Sequence, residues 1–262
     1  MKPDAALITG GARRLGKAMA LSLAQRGHDI ALHYAGSARA AEDTAQELRA
    51  IGVTVVLLQA DLTCEDETQQ LLARATRELK QPCGVLINNA SIFEYDTLRS
   101  ATRDGWDRHM ESNLRAPFVL TQAFAAQAPE AKVGDNGELS ATSCVINMID
   151  QRVRKLTPEF MSYTIAKMGL WAFTQTAARS LAPHVRVNAI GPGSTIRGAR
   201  QSAQHFDRQR KNTILKRGSN PTDIVAAMNF ILDSPAFTGQ LLCTDGGQHL
   251  AWQTPDIQSV DH

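Results

Sequence analysis

The feature that most constrains this chain is a repeated alternation of short apolar runs with longer segments of helical periodicity. The first run is Ala5-Ala6-Leu7-Ile8, closed by Thr9-Gly10. A helical pattern follows, with Leu15, Ala18, Met19, Ser22 and Leu23 on one face and Gly27 as a left-handed stop. Further apolar runs stand at 29–34, 53–59, 85–87, 143–149, 185–190 and 241–244. Helical segments at 39–52, 65–79, 103–128 and 159–181 separate them. A last helix is opened by Asn220-Pro221-Thr222-Asp223, which reads as cap, first-turn proline and first-turn acid. The strand runs are continuous instead of alternating, so they are buried on both faces. Seven such strands with helical crossovers predict an α/β, Rossmann-like, doubly wound fold with a seven-stranded parallel sheet.

No stretch rich in Pro, Gly or Ser splits the chain, so one domain over 1–262 is expected. The polar segment 129–142 reads as a loop, and Pro117 is expected to kink the long helix. The Arg- and Gln-rich segment 194–216 reads as a substrate lid. The tail 248–262 carries Leu250 and Trp252, suited to packing on a neighbouring subunit or on this one. The hydrophobic fraction, 43%, is enough for a large core. A net charge of +2 without long charged runs gives no nucleic-acid stripe. No apolar run approaches a signal peptide or a membrane span, so a cytoplasmic protein is expected. The seven histidines lack ligand spacing, which argues against a metal site. Cys64, Cys83, Cys144 and Cys243 form no C-x-x-C pair and read as buried free thiols. A G-x-S-x-G elbow and a phosphate loop ending in Gly-Lys-Ser/Thr are both absent.

The turn after the first strand reads Thr9-Gly10-Gly11-Ala12-Arg13-Arg14-Leu15-Gly16. Glycine allows a tight turn and a close approach to a pyrophosphate, and a helix N-terminus offers unpaired N–H groups to an anion. Gly10, Arg13, Arg14, Leu15 and Gly16 are therefore candidate cofactor residues. The second strand ends Leu32-His33-Tyr34-Ala35-Gly36-Ser37, and no acid follows until Glu42. An acid here would bind ribose hydroxyls and repel a 2′-phosphate. His33, Tyr34 and Ser37, with Arg13 and Arg39 nearby, instead predict NADP(H) over NAD.

Tyr163-Thr164-Ile165-Ala166-Lys167 places a phenol and an ammonium four residues apart on one helix face. A nearby ammonium favours the phenolate and lowers its pKa, which suits proton transfer near neutral pH. A surface pair on an amphipathic helix gives the same spacing.

Together these features resemble the short-chain dehydrogenase/reductase family. The glycine turn, Asp61-Leu62, Asn88-Asn89-Ala90, Asn113, Tyr163 with Lys167, Pro192-Gly193 and Asp245-Gly246-Gly247 occur in the family's order across nearly the whole chain. The resemblance implies that Asp61 and Leu62 meet the adenine and that Asn89 and Ala90 line the cofactor. It implies that Tyr163 is the acid/base, Lys167 holds the nicotinamide ribose, Asn113 helps relay protons, and Pro192 and Gly193 border the nicotinamide. It also implies a homotetramer.

Two departures are informative. Asp150, in Asn147-Met148-Ile149-Asp150, stands where most family members carry serine, and Arg14 stands where most carry a third glycine. Both resemble the pteridine reductase branch, as do Ser91 and Phe93 after the asparagines. That resemblance implies a pterin or folate substrate held by Arg14, Ser91, Phe93, Asp150 and Tyr163, with Ser91 and Met148 also lining the cofactor. Phe93 suits stacking on a flat heterocycle, and a carboxylate suits an aminopyrimidine edge. The alternatives are an alcohol or ketone oxidoreductase of the same family and a dinucleotide sensor without turnover.

Overall fold

Each of the seven expected runs forms a strand in one parallel sheet. In the computed structural model, which describes residues 4–198 and 201–252, the strands are β1 (Ala5–Ile8), β2 (Ile30–Tyr34), β3 (Val55–Gln59), β4 (Cys83–Asn88), β5 (Ser143–Met148), β6 (Val185–Pro192) and β7 (Leu241–Thr244). Their order is β3-β2-β1-β4-β5-β6-β7, so the winding reverses between β1 and β4. Ligands of such sheets bind at the carboxyl ends of the strands beside that reversal.

Period-two alternation explains the two cores. Ala6 and Ile8 of β1 face helices α1 (Arg14–Gln25), α2 (Ala38–Ile51) and α8 (Pro221–Asp233), packing with Met19, Leu23, Leu48 and Ile231. Ala5 and Leu7 face α3 (Glu65–Leu79), α5 (Ala116–Gln127) and α6 (Met161–Leu181), packing with Leu71, Leu120 and Phe124. Both faces are covered, which is why every residue of β4 and β5 is buried.

The long helix expected at 103–128 is in fact α4 (Arg103–Met110), a π-turn over Glu111–Arg115, and α5. The irregularity precedes Pro117 because proline has no N–H to offer the Asn113 carbonyl one turn back. The segment 129–142 is not wholly loop: Lys132–Val133 and Leu139–Ser140 pair as a small antiparallel hairpin. Within 194–216 lies a further helix, α7 (Ala203–Lys211). Arg210, near its end, donates to the carbonyls of Ser194 and Ser219. Of the tail, Leu250 and Trp252 are exposed, and 253–262 lie outside the described residues. Cys83 and Cys144 are buried, but Cys64 and Cys243 are only half-buried, because each sits beside a strand or helix end. No described helix is long and apolar enough to cross a membrane.

Candidate active site

The crevice begins where the ends of β1 and β4 are tied together. The Thr9 hydroxyl accepts from the N–H groups of Asn89 and Ala90, at 2.9 and 3.0 Å. The Asn89 side chain donates to the carbonyls of Thr9 and Gly10. Asn89 therefore shapes the glycine turn from behind, while Ala90 lies against Gly10.

His33 was expected beside a phosphate and is found elsewhere. It is 1% exposed in β2. Its Nδ1 accepts from the Gly10 N–H at 3.0 Å, so its Nε2 donates to the Ala60 carbonyl at 3.0 Å. Burial pushes its pKa down. It is a neutral brace for the glycine turn, with no ring nitrogen left for a ligand.

Arg14 replaces a glycine and keeps a glycine's conformation, with φ 54°. A left-handed non-glycine residue costs roughly 1–2 kcal/mol. Its guanidinium donates to the carbonyls of Ile196 and Arg197, at 2.9 and 3.0 Å, and so joins the glycine turn to the segment after β6. This tie uses two of the five guanidinium N–H groups, which leaves the others for the expected cofactor phosphate or substrate edge. Arg13, Gly36 and Arg39 are exposed, while Tyr34, Leu15 and Ser37 are half-buried around the same edge. Ala35, Gly36, Gln59, Ala60, Asp61, Glu67 and Arg74 line a cavity of about 600 Å³. Asp61 accepts from the N–H and hydroxyl of Thr63, and these bonds hold its carboxyl below the usual range. Leu62 is buried beside it. Glu67 and Arg74 escape a reading by motif because α3 brings them in from outside the turn.

The chemical centre is formed by the end of β5 and the first turns of α6. The Tyr163 hydroxyl donates to Asp150 Oδ2 at 3.0 Å, and Asp150 Oδ1 accepts from the Arg152 N–H at 2.8 Å. Lys167 donates to the Met148 carbonyl at 2.8 Å, and its Nζ is 5.7 Å from the centre of the Tyr163 ring. The expected lowering of the Tyr163 pKa is reversed here. Burial, then the charge and hydrogen bond of Asp150, push the phenol well above its ordinary value, against smaller downward effects of Arg152 and Ser91. Burial also raises Asp150, and it lowers Lys167 to about 8. The resting phenol is protonated and poised to give a proton.

Further residues complete the surroundings. Asn113, fully buried, uses its side chain to accept from the Ile92 N–H and donate to the Ile92 carbonyl, at 2.9 and 2.8 Å. It anchors the loop carrying Ser91 and Phe93. Ser91 is exposed. Phe93 is 51% exposed, meets Tyr163 edge-on at 4.7 Å and stacks on Phe160 at 4.2 Å. Pro192 ends β6 and Gly193 follows it, where a Cβ on Gly193 would lie 2.6 Å from Asp245 Cβ. Phe160 and Arg152, whose guanidinium is 4.8 Å from the Phe160 ring centre, were missed from sequence because neither belongs to a spaced motif.

Comparison with known proteins identifies the family. A family profile described as short chain dehydrogenase matches residues 4–207. The structure of FolM alternative dihydrofolate reductase 1 from Brucella suis, in complex with NADP, is similar with a TM-score of 0.89 and 38% identity, covering 97% of this chain and 98% of that one. The 3-oxoacyl-[acyl-carrier-protein] reductase FabG of Staphylococcus epidermidis is 29% identical, over 94% of this chain and 98% of its own. A 3-oxoacyl-[acyl-carrier-protein] reductase of Synechocystis sp. is 30% identical, over 92% and 95%. The chain belongs to the short chain dehydrogenase family of oxidoreductases.

Proposed function

We propose that the chain reduces a dihydropterin or dihydrofolate to its tetrahydro form with NADPH. The observation that carries this reading is the 3.0 Å hydrogen bond from Tyr163 to Asp150, beside the exposed ring of Phe93. A carboxylate there can accept from the N–H groups of an aminopyrimidine, which a serine cannot do in the same bidentate way. The likeness to the Brucella suis FolM, an alternative dihydrofolate reductase solved with NADP, supports the same substrate class and cofactor.

The residues present fit a dinucleotide. Helix α1 begins without a side-chain cap, so its first N–H groups await an acceptor from outside. Arg13, Ser37 and Arg39 suit the 2′-phosphate, with no acid at the end of β2. Asp61 and Leu62 would hold the adenine, with Gly10, Leu15, Gly16, Ala90, Ser91, Met148, Pro192 and Gly193 along the rest. When bound, the cofactor supplies the hydride. Reduction of a ring C=N also needs a proton on nitrogen. Tyr163 holds that proton, Asp150 orients the phenol, and Lys167 beneath the ring stabilises the phenolate left behind. A homotetramer belongs to the same reading, with the face of α5 that exposes Phe118 as its proposed contact.

The test is NADPH oxidation with dihydrobiopterin, dihydrofolate and a ketone panel, each repeated with NADH. Pterin or folate turnover is expected. NADPH should be preferred by roughly tenfold or more, as for one charge-assisted hydrogen bond. The 3-oxoacyl reductase relatives favour a second reading, reduction of a ketone. Asp150→Ser separates the two. A pterin reductase should lose about a hundredfold in kcat/KM, whereas a ketone reductase should keep its rate.

The alkaline limb of the pH profile follows from Lys167. It is charged below about 8 and loses its proton as pH rises through that value. Turnover should fall on that side with a midpoint near 8. A rate that stays level well past it would separate the Lys167 charge from turnover.

A further inference from the structure

The ring of Tyr163 is flanked on two sides, by Phe93 at 4.7 Å and by His109 of α4 at 6.0 Å, both close to perpendicular. His109 is 1% exposed, and its ring nitrogens have assigned tasks. The Glu94 N–H donates to Nε2 at 3.2 Å, so the proton resides on Nδ1. Nδ1–H then donates to Ser162 Oγ at 2.7 Å. The Ser162 hydroxyl, having accepted that bond, donates to the Asp96 carboxylate. The direction of the whole chain is thereby fixed, from His109 through Ser162 to Asp96.

Asp96 also closes a helix that cannot close itself. Phe160, at the N-cap of α6, has φ 55° and offers no side-chain acceptor. The Asp96 carboxylate takes the Ser162 N–H at 3.2 Å, and the Asp96 carbonyl takes the Phe160 N–H at 2.8 Å. A carboxylate at a helix N-terminus is favoured by the dipole. Asp96 is only 7% exposed. One buried acid therefore joins the loop of Phe93, the end of α4 and the first turn of α6, next to Tyr163. An apolar trio of equal size would fill the space but would not fix the rotation of these segments about one another.

We propose that Asp96, Ser162 and His109 are a positioning unit that holds the Tyr163 phenol and the Phe93 ring in one mutual orientation for proton delivery. The unit rests on the reading of Tyr163 as the acid. None of its three residues is among those assigned above to cofactor or substrate. Its loss should therefore reduce kcat and leave NADPH affinity intact.

Ser162→Ala removes the central hydroxyl but keeps the N–H that caps on Asp96. His109→Phe keeps a ring against Tyr163 and removes both hydrogen bonds. Each is expected to lower kcat by about tenfold to a hundredfold, the scale of a misplacement near 1 Å, with NADPH affinity within about twofold. His109→Asn, which retains a donor, should recover part of the loss. The pH profile gives a second readout. Protonation of His109 would set two donors against each other at Glu94. Glu94 and Asp96 on the loop, Arg108 on α4, and Lys167 and Tyr163 on α6 face the imidazole. Burial holds its pKa below 6.5, so the wild-type rate should fall as pH drops through that lower value, and the limb should vanish in His109→Phe. Variants that keep kcat within about twofold, or lose it only in step with melting temperature and NADPH affinity, would overturn the proposal. Nitrogen-15 NMR of the imidazole in the free protein reads the tautomer without any substrate. An Nε2–H tautomer also overturns the positioning unit. Nδ1–H supports it even if no pterin or folate is turned over, an outcome that counts only against the substrate reading.

Discussion

Tyr163→Phe is expected to lower kcat by about a thousandfold, within the range general acid catalysis supplies. The ring contacts with Phe93 and His109 do not need the hydroxyl, so the substituted ring keeps its place. Only the proton donor is lost, and Asp150 retains the Arg152 N–H. Steady-state NADPH oxidation measures the loss, and a fluorescence titration with NADPH should give an affinity within about threefold of wild type. A variant with more than about a tenth of the wild-type kcat would remove Tyr163 as the proton source.

Gly16→Ala should be nearly as damaging, by another route. In an ordinary helix interior this change would add roughly 1 kcal/mol of stability. Here the new Cβ would lie 2.2 Å from the Gly10 carbonyl oxygen and 2.7 Å from Asn89 Nδ2. Backbone lies on one side and a hydrogen-bonded amide on the other, so the glycine turn must move by about an ångström. Overpacking of this kind costs about 1–3 kcal/mol, which lowers the melting temperature by roughly 3–10 °C in a chain of this size. NADPH affinity should fall by about a hundredfold or more, since the turn no longer presents its N–H groups at one place. Differential scanning fluorimetry and calorimetric titration read the two effects. Unchanged affinity would mean that the turn does not hold the cofactor.

The sheet was legible because its strands are buried on both faces, which leaves an unbroken apolar run where half-buried strands would alternate. The same logic applies to His33, and the phosphate role read for it ignored its place. It lies within such a run, paired with Leu58 on β3, and has no route to solvent. Tyr163 and Lys167 are adjacent by helical spacing, so their meeting could be read directly. The sign of the phenol's pKa could not. It is set first by burial that only the packed molecule creates, and then by Asp150, thirteen residues earlier. Asp96 and Ser162 are 66 residues apart, and no local period brings a loop carboxylate onto a distant helix start. The π-turn was half legible. Pro117 announced a break, but the carbonyl that loses its donor belongs to Asn113, on the preceding turn.

The tie made by Arg14 has a consequence for biosynthesis. It spans 183 residues, and the Thr9–Ala90 and Tyr163–Asp150 contacts belong to two other stretches of chain. A ribosome that has released the first strand and its glycine turn has made the floor of the crevice without its roof. Interior parallel strands pair only after their crossovers are complete, and such remote closures are slow compared with helix formation. Nucleotide-binding competence is therefore expected late, once the segment after β6 arrives to receive the guanidinium. An N-terminal fragment carrying the full glycine motif should therefore bind nucleotide far more weakly than the whole chain, which a fluorescence titration of the two would show.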